Sequence, residues 1–199
     1  LDAMTDDAHL PAAMRVRVDA LGRAVAQATR ITSGLLTFSG RNPGATSIID
    51  LNAALAGLRS LITGTLGETI EVQWQLDASP ATAMMADSHV AQVVLNLALN
   101  ARDAMPEGGH LVIATSYVTE AESADGVGGP GPWVRLQMDD TGHGMSEEVQ
   151  RHVFEPFFTT KAPGRGTGLG LSICRGIAEQ AGGHIAVQSV PGSGTSVRL

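Results

Sequence analysis

Residues 164–171 read Gly-Arg-Gly-Thr-Gly-Leu-Gly-Leu and run without a break into Ser172-Ile173-Cys174-Arg175-Gly176-Ile177-Ala178, a helix-forming stretch. Glycine at every second position leaves backbone N–H groups unshielded. A helix that starts directly behind them adds the positive end of its dipole at the same point. A chain built this way has to fold so that a loop meets a helix N-terminus, an arrangement suited to a polyphosphate. It is not a P-loop, because the chain has no Gly-Lys pair, and its glycine spacing is not Gly-x-Gly-x-x-Gly. Taken alone, the segment also fits a flexible surface loop, so the rest of the chain has to decide.

At 199 residues the chain is long enough for one domain with an appendage and a sizeable core. No run of about 18 apolar residues occurs, so neither a membrane span nor a signal peptide is expected. That fits a cytoplasmic segment, which leaves open a membrane tether elsewhere in a full-length protein. A net charge of −7 argues against nucleic acid as the main partner. The single cysteine, Cys174, excludes a disulfide framework and a cysteine-built zinc site, and its apolar helical surroundings read as a buried small hydrophobe.

Residues 12–39 contain no proline, and Met14, Val18, Leu21, Val25, Ala28, Thr32 and Leu35 recur at alternating spacings of four and three. This is a heptad seam that needs a partner helix; a helix folded back on its own domain is the alternative. Gly40-Arg41-Asn42-Pro43-Gly44 ends it sharply, which places a domain boundary between residues 1–43 and 44–199. Beyond it, residues 51–65 have helical period, residues 70–76 alternate as a strand, and residues 81–85 form a short strand. Asp87 or Ser88 is placed to cap a long helix through Ala104. Residues 111–117 and 133–138 read as strands separated by the Gly- and acid-rich loop 119–132, and residues 184–189 and 196–199 form a last pair around Pro191-Gly192-Ser193-Gly194. The expected fold is an α/β two-layer sandwich, a mixed sheet with helices on one face.

Besides the glycine loop, three clusters carry chemistry. Asn96 and Asn100 lie four apart on the long helix and project from one face. An amide oxygen is a hard, neutral ligand suited to Mg²⁺ that already carries phosphate oxygens, although a plain hydrogen-bonded pair fits equally. Asp139-Asp140-Thr141-Gly142-His143-Gly144-Met145 follows a strand. Its carboxylate has the position and chemistry to accept from an adenine amine, and its glycines let a flat base approach the backbone. Phe154-Glu155-Pro156-Phe157-Phe158-Thr159-Thr160-Lys161 gathers three of the four phenylalanines. It reads as an apolar clip for a mobile loop, with Lys161 and Arg165 near enough in sequence to reach phosphates.

In this order and spacing the four clusters resemble the nucleotide-binding boxes of the sensor histidine kinase catalytic domain. That domain belongs to the superfamily shared with type II topoisomerases, the large heat-shock chaperone and mismatch-repair ATPases. Residues 96–105 resemble the N box, 140–144 the first glycine box, 154–161 the F box and 166–171 the second glycine box. Gly192-Ser193-Gly194-Thr195 resembles a final glycine turn, and the helix ending Leu35-Leu36-Thr37-Phe38-Ser39 resembles the second helix of the kinases' dimerisation hairpin. The resemblance covers about residues 47–199 and implies a largely antiparallel sheet, ATP and Mg²⁺ as ligands, and a homodimer in the full-length protein. By resemblance Asn100 would bind Mg²⁺ with Asn96 assisting, Asp140 would read the adenine amine, and Gly142 and Gly144 would lie under the base. Lys161 would touch a terminal phosphate, and Gly166, Gly168 and Gly170 would wrap the triphosphate. Asp103, Arg165, Thr167, Leu169 and Thr195 fall among the expected nucleotide contacts.

Two departures refine that expectation. Related ATPases carry a water-activating Glu four residues before the metal asparagine. Asn96 stands there, and a neutral amide cannot act as a base, which favours phosphoryl transfer over hydrolysis. The kinases' acceptor histidine is usually followed by Glu or Asp, but the six histidines here precede Leu10, Val90, Leu111, Gly144, Val153 and Ile185. The acceptor is therefore expected on a histidine-bearing hairpin outside this chain, with a response-regulator receiver domain next in line. His143 is the one histidine expected to line the adenine pocket. A nucleotide-binding adaptor without kinase activity and an ATPase of the same superfamily are the alternatives.

Overall fold

Asp50 starts the first described helix: its carboxylate accepts from the backbone N–H groups of Asn52 (2.9 Å) and Ala53 (3.2 Å). That helix, α1 (Leu51–Leu66), contains Gly57 and Gly64, each costing about 1 kcal/mol against alanine. Burial of Leu51, Leu55, Ile62 and Leu66 at about 1.5–3 kcal/mol apiece outweighs the cost, so packing rather than propensity holds it helical. The computed structural model describes Met14 and residues 46–199 except 80, 119–132 and 163–165. The chain divides into two compact units, residues 1–42 and 43–199. Of the first, Met14 is described, helical and exposed; the rest of the expected seam over residues 12–39, and the loop 119–132, lie outside the described residues.

In the second unit the strands are β1 (Ser47–Asp50), β2 (Ile70–Leu76), β3 (Thr82–Met85), β4 (Gly109–Val118), β5 (Trp133–Asp140), β6 (Ala186–Val190) and β7 (Gly194–Arg198). They are joined by the helices α2 (Asp87–Ala104), α3 (Glu147–His152) and α4 (Gly170–Gln180). Among the described residues the main sheet has the order β2-β4-β5-β7-β6, with β2 parallel to β4 and the other neighbours antiparallel. A separate two-stranded ladder joins β1 to β3. One face of the main sheet buries Ile70, Leu111, Ile113, Leu136, Met138 and Val197 against Leu55 and Ile62 of α1, Val90, Val94 and Leu97 of α2, and Ile173 and Ile177 of α4. Glu71, Gln73 and Gln75 of β2, on the other face, are exposed. This is the two-layer α/β sandwich with a largely antiparallel sheet. No described helix is long and apolar enough to cross a membrane.

The structure differs from the expectation in four places. Strand β1 and the short helix α3 were not foreseen: β1 has one buried residue and α3 none, so neither shows an apolar period. Helix α2 begins at Asp87 with the buried Ala86 in the cap position and no side-chain cap, so neither Asp87 nor Ser88 caps it. Asp87 instead sits in the first turn, where its charge suits the helix dipole. The last strands run 186–190 and 194–198, which leaves His184 ahead of β6 rather than within it.

Candidate nucleotide site

Helix α2 is the shared support of the site. Asn96 is buried and its Nδ2 points at the carbonyl of Gly170, the first residue of α4, at 3.5 Å. A Cβ added at Gly170 would lie 3.7 Å from Asn100 Nδ2 and 3.9 Å from Asn96 Cβ. The glycine loop thus delivers the N-terminus of α4 onto the two asparagines, and that end has no side-chain cap. The Asn100 amide is half-buried and has no hydrogen-bond partner among the described residues, so its oxygen is available as a hard neutral ligand. Asn96 spends its amide on α4, which makes it a positioning group for the loop. Four residues beyond Asn100, about 6 Å along the axis, Ala104 receives the other half of the site.

That half is the turn after β5. Asp140 Oδ1 accepts from Gly142 N–H at 2.9 Å, and the carbonyl of Ala104 accepts from His143 N–H at 3.0 Å. The Thr141 hydroxyl accepts from His110 N–H at 3.0 Å and holds the start of the turn. Burial pushes the Asp140 carboxyl above its ordinary range. The backbone N–H groups of Gly142 and Thr195, and nearby His143, pull it back, while Asp139 adds to the rise. A carboxylate that burial has made expensive to ionise gains from a ligand N–H donor. His143 is exposed, with Nδ1 2.8 Å from the Gly144 carbonyl.

The glycines of the turns are explained first by protein contacts. A Cβ at Gly142 would fall 2.7 Å from Ala104 Cβ, and one at Gly144 would fall 2.1 Å from the Val190 carbonyl oxygen. Gly194 has φ +99°, and its Cβ would lie 1.9 Å from the Asp140 carbonyl oxygen. The next residue, Thr195, pairs with Asp140 across β5 and β7. The tight approach at Gly194 therefore positions the Asp140 carboxylate through its own backbone. Gly194→Ala is expected to cost about 2 kcal/mol or more, since it adds a backbone clash to a left-handed conformation. The thermal midpoint should fall by about 4–8 °C; an unchanged melting curve would contradict this packing.

The phenylalanine segment and the glycine loop are bound to one another. Phe157 N–H donates to the Gly168 carbonyl at 2.9 Å. Gly168 has φ +64°, and its Cβ would meet the Phe157 carbonyl carbon at 2.3 Å. Phe157 itself holds φ 69° and is exposed, an unusual conformation for a residue with a side chain. Thr167 Oγ1 accepts from Leu169 N–H at 3.3 Å, and Leu169 is buried behind it. Gly166 lies against Thr159 and Lys161, whose Nζ is 2.5 Å from Asp103 Oδ2. Arg165 lies outside the described residues. Cys174, one turn into α4, is buried with its thiol pushed up to about 12 by burial, so it stays protonated and acts as a small hydrophobe.

A supporting network had no signature in the sequence. Gln150 of α3 donates to the carbonyls of Met145 (3.0 Å) and Ser189 (2.9 Å) and accepts from Ser189 N–H (3.1 Å). The Ser189 hydroxyl accepts from Met145 N–H, donates to the Gly194 carbonyl, both at 2.8 Å, and lies 2.9 Å from Thr195 Oγ1. These bonds tie the turn after β5 to the β6–β7 hairpin. Gln150 and Ser189 are 39 residues apart, and each is locally an ordinary polar residue.

A sheet with helices on one face, a carboxylate before a glycine turn and a glycine loop seated on two helical asparagines define a class of nucleotide-binding domains. The chain belongs to the family described as histidine kinase-, DNA gyrase B- and HSP90-like ATPases, whose model matches residues 85–199. It is 39% identical over 178 residues to the sensor kinase CckA of Brucella abortus, a match spanning 87% of this chain and 19% of that protein. The chain therefore spans about a fifth of that relative's length. Among solved structures it is similar to the catalytic domain of the histidine kinase ThkA, with a TM-score of 0.58 and 27% identity over 77% of this chain and 95% of that one. The complex of ThkA with the response regulator TrrA shares the fold at a TM-score of 0.68 and 23% identity, over 98% of this chain and 54% of that chain.

Proposed function

We propose that residues 44–199 are the ATP-binding catalytic domain of a two-component sensor histidine kinase, with residues 1–43 contributing the second helix of its dimerisation hairpin. The observation that carries this reading is the seating of Gly170, at the N-terminus of α4, on Asn96 and Asn100. The triphosphate would lie between the uncapped end of α4 and the free amide of Asn100. Asp140 would take the adenine amine, and Lys161 the terminal phosphate. Mg²⁺ fits this donor set, because Asn100 offers an unspent neutral oxygen, and when bound it would neutralise phosphate charge in the transfer. The protein's own groups act by placing the γ-phosphoryl and by aiming N–H dipoles at its charge.

The identity of Asn96 supports transfer over hydrolysis. With an amide turned onto Gly170 in that position, no carboxylate stands there to activate water. The acceptor is then a histidine on a hairpin outside this chain, and the phosphoryl group passes on to an aspartate of a response regulator. The TrrA complex of ThkA is the precedent for such a partner.

The test is transfer in trans. The chain is mixed with a separate hairpin fragment bearing a histidine followed by an acidic residue, and with γ-labelled ATP and Mg²⁺. Acid-labile label should appear slowly on the hairpin and not on this chain, since loss of a tether lowers the effective concentration. ATP binding without label on either partner would mark a nucleotide-binding adaptor. Steady release of inorganic phosphate would mark an ATPase. Label on the chain itself, mapped to His9 or His143, would place the acceptor within it.

A further inference from the structure

Lys161 does not project into open space. Its ammonium contacts Asp103 Oδ2 at 2.5 Å, with 35% of the lysine and 33% of the aspartate side chain exposed. The other oxygen of Asp103 is held by Arg102 Nη2 at 3.3 Å, and Arg102 Nη1 in turn donates to the Thr65 carbonyl at 3.2 Å. The carboxylate is thus fixed to the helix layer. Lys161 arrives on the segment that packs against Gly166, whose Cβ would come within 3.2 Å of Lys161 Cδ. Asp103 follows Asn96 and Asn100 at the i, i+4, i+7 spacing that places all three on one stripe of α2. An aspartate beside the expected phosphate position is electrostatically unfavourable for a polyanion unless its charge is already compensated.

We propose that Asp103 determines how strongly this site discriminates a nucleoside triphosphate from a diphosphate, by holding Lys161 until a terminal phosphate draws it away. The proposal rests on the nucleotide reading above. A terminal phosphate carries more charge than one carboxylate and offers three acceptor oxygens, so it is the stronger partner for an ammonium. A diphosphate ends one phosphate short and leaves the Lys161–Asp103 pair intact. Breaking the pair when a triphosphate binds returns Asp103 to Arg102 alone. The pair therefore lowers triphosphate affinity by the amount the pair itself is worth, and leaves diphosphate affinity unaffected.

The test is a double-mutant cycle read by calorimetry with Mg·ATP and Mg·ADP. In Asp103→Asn the lysine is released, and ATP should bind up to about fivefold more tightly, the worth of a partly exposed ion pair. ADP affinity should stay within about twofold. In a Lys161→Ala background the same Asp103→Asn change should lose its selectivity for ATP, with any gain from the removed charge shared equally by ADP, because no lysine remains to be held. A gain shared equally by ATP and ADP with Lys161 in place, and persisting without it, would reveal simple removal of a negative charge, and would overturn the proposal. Weaker ATP binding in Asp103→Asn would show that Asp103 aims Lys161 at the phosphate, which also overturns it. A wild-type chain that binds no ATP would overturn the nucleotide reading, and this proposal with it.

Discussion

Asn100→Ala is expected to abolish phosphoryl transfer to a hairpin histidine while leaving the fold intact. The Asn100 amide has no partner among the described residues, so its removal orphans no buried group, and alanine is the better helix former within α2. In the proposed site, what would be lost is a neutral oxygen ligand for the cation that offsets phosphate charge. That loss costs several kcal/mol in the transition state, a fall of about a thousandfold at about 1.36 kcal/mol per decade. Single-turnover transfer and a thermal melt on the same preparation check both halves. Transfer within about threefold of wild type, in a protein that melts normally, would remove Asn100 from the metal role.

Asp140→Asn should weaken ATP by about 2–4 kcal/mol, roughly thirtyfold to a thousandfold, with a particular dependence on pH. The substitution keeps the shape but replaces one acceptor oxygen with a donor that, in the proposed site, would face the adenine amine. Because burial raises the Asp140 carboxyl, the folded chain holds a proton there at pH values where the unfolded chain has already lost it. Stability therefore falls as pH rises from the unfolded value to the raised folded one, and is level above it. Nucleotide affinity has the opposite sign. It needs the ionised carboxylate, so it should rise as pH climbs through the same window, and Asp140→Asn should be flat there. Calorimetry with ATP at a series of pH values decides this. Parallel profiles for the two proteins, or unchanged affinity at neutral pH, would assign adenine recognition elsewhere.

Local pattern disclosed much of the framework. The helical period over residues 51–65, the strand alternation over 70–76 and the long helix through Ala104 correspond to α1, β2 and α2. Where the signal was missing, the elements are small. Strand β1 buries Ile49 alone, and α3 buries nothing and is held by a Ser146 cap and by Gln150 reaching to Ser189. Such elements exist because of what lies across from them, and no window of sequence contains that neighbour. The start of α2 is of the same kind. Two good capping residues stand at 87 and 88, yet Ala86 takes the cap position because it is buried at the end of β3.

The sequence alone determined the succession of chemical groups: two amides one turn apart, a carboxylate before a glycine turn, a phenylalanine-rich segment ending in Lys161, and a glycine loop opening a helix. Those are matters of residue type and short spacing, which periodicity and side-chain chemistry settle. Only the tertiary structure decided how they meet. It placed β7 between β5 and β6, which puts the Gly194 backbone against Asp140. It laid Gly170 on Asn96 and Asn100, packed Gly142 and Gly144 against Ala104 and Val190, and joined Lys161 to Asp103 across 58 residues. Contacts over that separation depend on the path of the chain through the sheet and on which faces the core buries, and local composition carries no record of either.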